Sequence, residues 1–83
     1  METIEMNVTY AGAPVEVRLY PEEHFSGTIY PAELDGNYTF TLHFDEEDEW
    51  SIMREPNGLT PQVDSELLKK ILKNLELQLR YAA

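Results

Sequence analysis

The chain has 83 residues, no cysteine and a formal net charge of −10. That length suits one small domain, residues 1–83, with a compact core. The missing thiols exclude a disulfide framework, a thiolate nucleophile and cysteine-ligated zinc. Sixteen acids against six basic residues leave no basic footprint of the kind direct binding to phosphate backbones requires.

The charge is unevenly placed. Residues 1–62 hold thirteen acids against Arg18 and Arg54, a balance of −11, whereas residues 63–83 come to +1. No secretory h-region and no membrane-length apolar run occurs, so a cytoplasmic protein without a membrane partner is expected.

In chain order, Ile4, Met6, Val8 and Tyr10 alternate with Glu5, Asn7 and Thr9, the pattern of a half-buried strand. Ala11-Gly12-Ala13-Pro14 reads as a tight connection. Val15, Val17 and Leu19 then alternate with Glu16, Arg18 and Tyr20, completing a hairpin. Pro21 to Gly27 reads as a loop with Phe25 tucked beneath it. Thr28-Ile29-Tyr30 starts a third strand, which Pro31 restricts to an edge, an end or a bulge, because proline cannot donate to the ladder; alternatively, Pro31 merely marks where pairing changes.

Asp35-Gly36-Asn37 is the strongest turn signal in the chain. Tyr38, Phe40, Leu42 and Phe44 alternate with Thr39, Thr41 and His43, a strand with an aromatic face. Asp45 to Glu49 is an acidic turn. Trp50 and Ile52 continue the apolar face on a last strand, and Arg54 to Gly58 leads into the helix.

Thr60-Pro61 reads as the helix start, a capping hydroxyl followed by a proline at the first helical position. The helix spans about 61–81, and no Gly or Pro interrupts the sequence from Gln62 to Ala83. Leu67, Leu68, Ile71, Leu72, Leu75 and Leu79 fall within an arc of roughly 140°, with Leu77 off the stripe.

Such a stripe needs an apolar surface, and a sheet with one apolar face needs a cover. The fold class that follows is α+β: an antiparallel β-meander of four to five strands with one C-terminal helix packed on one face. Tyr10, Tyr38, Phe40, Phe44 and Trp50 belong to the inner face. The other face, with Glu5, Asn7, Thr9, Glu16, Arg18, Tyr20, Thr39, Thr41, His43, Ser51 and Met53, is polar enough to meet water.

The segment Gly-Asn-Tyr-Thr-Phe-Thr-Leu-His-Phe-Asp-Glu-Glu-Asp-Glu-Trp (36–50), followed by a Pro/Gly loop and a leucine-rich C-terminal helix, resembles small uncharacterised bacterial proteins built as a meander plus a helix. The resemblance implies the fold and carries no activity with it.

Candidate chemistry is sparse. Asp45, Glu47 and Glu49 are cation candidates, but no glycine lies between them to permit the sharp turn of a calcium loop, so the run reads as a solvated hairpin tip. His24 and His43 lie on separate elements, without HxH or HExxH spacing, and read as structural histidines rather than metal ligands. No G-x-S-x-G and no phosphate-binding glycine loop occurs. Neither a catalytic constellation nor a cofactor is implied.

The reading that remains is a small acidic, non-catalytic interaction module working through its open sheet face or an edge strand, with a protein partner or as a homodimer. The interaction-face candidates are Tyr20, Tyr30, Thr39, Thr41, His43 and Met53. The alternatives are an acidic nucleic-acid mimic that occupies a basic protein and, behind it, a small metal-dependent enzyme using His24 or His43.

Overall fold

The computed structural model describes residues 2–81, with the side chain of Tyr81 left aside, so Ala82 and Ala83 at the end of the uninterrupted C-terminal stretch lie outside it. Six antiparallel strands precede one helix: β1 (Ile4–Tyr10), β2 (Ala13–Leu19), β3 (Glu22–His24), β4 (Gly27–Leu34), β5 (Asn37–Asp45), β6 (Trp50–Ile52) and α1 (Ser65–Tyr81). The sheet order is β1-β2-β4-β5-β6, with β3 also paired to β4. The architecture is thus the expected α+β meander with a C-terminal helix.

Strands β2 and β3 are one strand line in two pieces. Both run against β4 in a single register, Leu19 opposite Ala32 and then Glu22 opposite Ile29. Between them Tyr20 N–H donates to Pro31 O at 3.0 Å. Pro31 has no N–H to return to Tyr20, so the ladder lapses there. Pro31 therefore sits inside a central strand, paired with Thr41 of β5 on its other side, and not at an edge or an end. The stretch from Pro21 to Gly27, expected as a loop, is in fact this short strand and a two-residue turn. Phe25 at that turn is 91% exposed and not tucked away.

The two hairpin turns at Ala11-Gly12 and Asp35-Gly36 have positive φ at both central residues, 52° and 78° in the first and 50° and 84° in the second. Such turns match the twist of the flanking strands. The second is also docked sideways: Glu16 N–H donates to Asp35 Oδ1 at 3.0 Å, and Asp35 N–H to Glu16 O at 2.8 Å.

A bulge between Ala32 and Glu33 shifts the β4–β5 register, so that Ala32 faces Phe40 while Glu33 faces Tyr38. Thr39 is the extra residue. One extra residue inverts the faces beyond it, and Tyr38, expected inside, lies on the outer face with 51% exposure. Tyr30, expected among the interaction residues, is buried instead. It stands opposite Leu42 in the ladder, with its ring centroid 5.3 Å from that of Trp50.

Helix α1 begins later than Thr60-Pro61 indicated. Asp64 is the cap: its Oδ1 accepts from Glu66 N at 2.9 Å and Leu67 N at 3.3 Å. A carboxylate at this position satisfies free amides and suits the positive end of the helix dipole. Leu67, Ile71 and Leu75 are buried against Met6, Val8, Val17, Leu19, Tyr30, Ala32, Phe40 and Leu42, with Leu68 and Leu72 half-buried alongside. Leu79, expected on the buried stripe, is 39% exposed, and Leu77 is exposed as its position indicated. Among the described residues no helix is long and apolar enough to cross a membrane.

Two sets of substitutions test this packing. Ile71→Ala should cost roughly 2–5 kcal/mol through the cavity it leaves, and Asp64→Ala about 1 kcal/mol through the lost cap, both read by urea denaturation. Gly27 has φ 137°, and a Cβ there would lie 2.1 Å from Phe44 O, whereas at Gly36 the space is open. Gly27→Ala should therefore destabilise by roughly 2–4 kcal/mol and Gly36→Ala by only about 1–2 kcal/mol of backbone strain. Equal losses at the two glycines would contradict the close approach of β4 to β5.

Candidate functional site

With the helix on the inner side, no second layer of helix or sheet covers the outer side among the described residues. Three features lie on or beside it: a central apolar strip rimmed by tyrosines, a histidine–serine cluster, and the acidic turn.

The strip follows from strand alternation. Ala32 and Tyr30 point inward, so Ile29 and Pro31 point outward, opposite His43 and Thr41. Met53 N–H donates to Thr41 O at 2.8 Å, which extends the β6 ladder by one residue beyond Ile52 and brings Met53 beside Thr41. Thr41 is only 8% exposed although it lies on the outer face. Tyr38 OH, 2.8 Å from Thr41 Oγ1, is part of its cover and also donates to Glu55. Across the strip Tyr20 OH donates to Glu33 Oε1 at 2.5 Å. Beyond Tyr20, Arg18 pairs with Glu5 and Glu16, each at 3.3 Å. Both tyrosine rings are thus tethered by a carboxylate.

Of the residues singled out in the sequence, Tyr20, Thr41, His43 and Met53 come to this face. Thr39 sits exposed at the bulge, donating its hydroxyl to Asn37 O at 3.0 Å, and Tyr30 is in the core. Ile29, Pro31, Tyr38, Glu33 and Glu55 were not anticipated. Ile29 and Pro31 follow from parity once β4 is known to be central, while Tyr38 needs the bulge.

The edges are less open than the face. Lys70 Nζ donates to Thr9 O at 2.5 Å and Gln78 Nε2 to Glu5 O at 3.0 Å. Helix side chains thereby occupy outward carbonyls of β1, a common way of blunting an edge strand. At the opposite edge β6 has three residues.

The two histidines, on the separate elements β3 and β5, converge on one hydroxyl. Ser26 Oγ lies 2.8 Å from His24 Nδ1 and 3.0 Å from His43 Nε2. His43 Nε2 is also 3.2 Å from the Ser26 carbonyl, which only accepts, so Nε2 carries the proton. Ser26 N–H in turn donates to His24 Nδ1 at 3.4 Å, so that nitrogen is the acceptor. The chain of donors runs from His43 through Ser26 to His24. In this arrangement His43 is not set to take the proton of Ser26. The acids at the neighbouring turn would moreover oppose the negative charge that develops in acyl transfer. The signal for this cluster was the pair His24 and Gly27 bracketing a two-residue connection, Phe25-Ser26.

At the acidic turn, carboxylate oxygens of Asp45, Glu47 and Glu49 all lie within 4.8 Å of one another. Asp45 Oδ1 accepts from Glu47 N at 2.8 Å and Glu49 N at 3.0 Å. That oxygen caps the turn and holds the backbone of Glu47 and Glu49 beside Asp45.

The tyrosines give the face a pH signature. The Tyr20 hydroxyl is held above the ordinary tyrosine range by its bond to Glu33 and then by burial, and that of Tyr38 by burial and then by Glu55. Burial raises Tyr30 as well. Above about pH 10 the unfolded chain loses phenolic protons that the folded one keeps. The unfolded state then binds fewer protons, so this stability is complete below about pH 10 and is lost as pH rises further. Melting temperatures should fall through that alkaline range, and less steeply in the double variant Tyr20→Phe/Tyr38→Phe. An unchanged slope in the variant would separate the two hydroxyls from the effect.

Compared with protein-family models, with curated proteins and with solved structures, the chain finds no match.

Proposed function

We propose that this protein is a non-catalytic contact module that binds a protein partner through the uncovered face of its sheet, in a cytoplasmic setting. The observation that carries the reading is the build of that face. An apolar centre of Ile29, Pro31 and Met53 is flanked by Tyr20 and Tyr38, whose hydroxyls are already anchored to Glu33 and Glu55. Apolar centres with aromatic residues and a polar rim are the anatomy of protein interfaces. Rings held in place before contact lose less conformational freedom on binding.

The face is favoured over the edge because Lys70 and Gln78 already occupy β1. Its rim carries Glu5, Glu16, Glu33 and Glu55 against Arg18. Two copies pairing face to face would bring like charges together, so a partner with basic groups around an apolar patch fits better than a second copy.

Affinity capture from the source cell's extract tests this, with wild-type protein beside Ile29→Lys, Met53→Lys and the helix variant Lys69→Glu. The expected result is a partner retained by wild type and Lys69→Glu, lost by at least about tenfold with either face variant, and bound more weakly as salt is raised. A partner that survives both face substitutions, or none at all, would sink the proposal. So would a wild-type dimer in light scattering that Met53→Lys dissolves, because the occupant would then be a second copy.

A further inference from the structure

We propose that His24 and His43 form a binding site for an imidazole-seeking divalent transition ion, with zinc(II) as the probe, at the end of the hairpin joining β3 and β4. These are the only two histidines of the chain, separated by eighteen positions between them. The pairing of Gly27 with both His24 and Asp45 nevertheless brings the hairpin end against the end of β5. The result is that His24 Nδ1 and His43 Nε2 both face one oxygen, at 2.8 and 3.0 Å. The rings stand edge to face with centroids 5.8 Å apart.

Two imidazole nitrogens on one zinc ion lie about 2.0–2.1 Å from it, and so roughly 3.3 Å from each other in tetrahedral geometry. Both ring nitrogens are in contact with one atom, at 2.8 and 3.0 Å, so they are no farther apart than the sum of those distances and close toward each other to reach that spacing. Ser26 Oγ occupies the meeting point, so loading turns this hydroxyl aside or keeps it as a further oxygen ligand. His43 must present a lone pair at Nε2. It does so by moving its ring proton to Nδ1, a tautomer change that leaves the proton count of the neutral ring unaltered. Remaining positions fall to water.

The same end of the sheet attracts cations. A cleft of about 350 Å³ is lined by Phe25, Ser26, Asp45, Glu46 and Glu47. It opens beside Ser26, and its carboxylates raise the local concentration of any cation. Phe25 packs against His24 with ring centroids 4.3 Å apart, covering one side of the imidazole. The choice between the nitrogens and the carboxylates is chemical. Calcium and magnesium take oxygen ligands, whereas zinc, copper and nickel accept imidazole. The proposed site is therefore distinct from the carboxylate cluster at Asp45, Glu47 and Glu49.

Tag-free, isotope-labelled full chain titrated with zinc chloride at neutral pH, followed by NMR of the histidine ring resonances, tests the site. The expected result is that both rings respond together in one saturable step of one ion per chain. His24→Gln and His43→Gln should each weaken binding at least about tenfold, while Glu46→Gln/Glu47→Gln should change it no more than about threefold. Acidification should release the ion, because protons compete for the same nitrogens. Calcium should leave both rings unmoved.

Ring resonances that stay in place under a large excess of zinc would overturn the proposal. So would binding that persists in both histidine variants, or that disappears only in the carboxylate variant. The wild-type ring shifts decide the matter even where a variant fails to fold. His43 borders the sheet face opposite Ile29, but the titration uses the isolated chain, so its outcome is independent of whether that face binds a partner.

Discussion

One helix cannot cover two sides of a sheet. The seventeen residues of α1 make a rod about 25 Å long, and its buried ridge of Leu67, Ile71 and Leu75 is used up on the inner face of the strands. Every side chain that alternation sends the other way must come to terms with water or with a partner. Most are polar or charged and do so readily. Those in the middle, Ile29, Pro31 and Met53, are not. The molecule's surface chemistry follows from this shortage of covering structure more than from any catalytic motif.

Strand β4 carries the consequences. It is paired along both edges, to β2 and β3 on one side and β5 on the other. Three of its residues shape the outer surface in different ways. Pro31 removes one donor and divides the neighbouring strand line. The bulge next to Ala32 returns Tyr38 to the outside, where it shields Thr41. Gly27 has no side chain, which allows its backbone to approach Phe44 and closes the hairpin onto the end of β5. Without that approach Ser26 would not lie between His24 and His43. Irregularities in a central strand are costly unless the surrounding structure holds them. Here the helix, packed on the opposite face, holds β4 in place.

Electrostatics divide the molecule along the same line. The acids crowd the strands and turns, and four of the six basic residues are on the helix. Few of these charges make close pairs: Arg18 with two glutamates and Lys70 with Glu66 at 4.0 Å, all on partly exposed side chains. Pairs of that kind add little to stability. The charge serves better as a long-range field, drawing basic groups toward the sheet and cations toward the turn at Asp45–Glu49. The polar contacts that do order the face are the short ones from Tyr20 and Tyr38 to glutamates, where a carboxylate acceptor strengthens the bond.

The residues alone determined the parts of this architecture that repeat locally. The leucine spacing of 67–75 specifies an amphipathic helix, the alternation in 4–10, 15–19 and 40–44 specifies half-buried strands, and Asp35-Gly36 specifies a two-residue turn, because each is set by the geometry of a few neighbouring residues. The choice of cap was less legible, since Thr60, Asp64 and Pro61 all carry start signals and only packing selects among them. What the tertiary structure decided were relations across strands. A period of two assigns faces only until a residue is inserted, so the bulge at Thr39 put Tyr38 outside, while the central position of β4 put Tyr30 within. The meeting of His24, Ser26 and His43 depends on the register of β3, β4 and β5 together, a property of paired backbones that spacing along one chain does not contain.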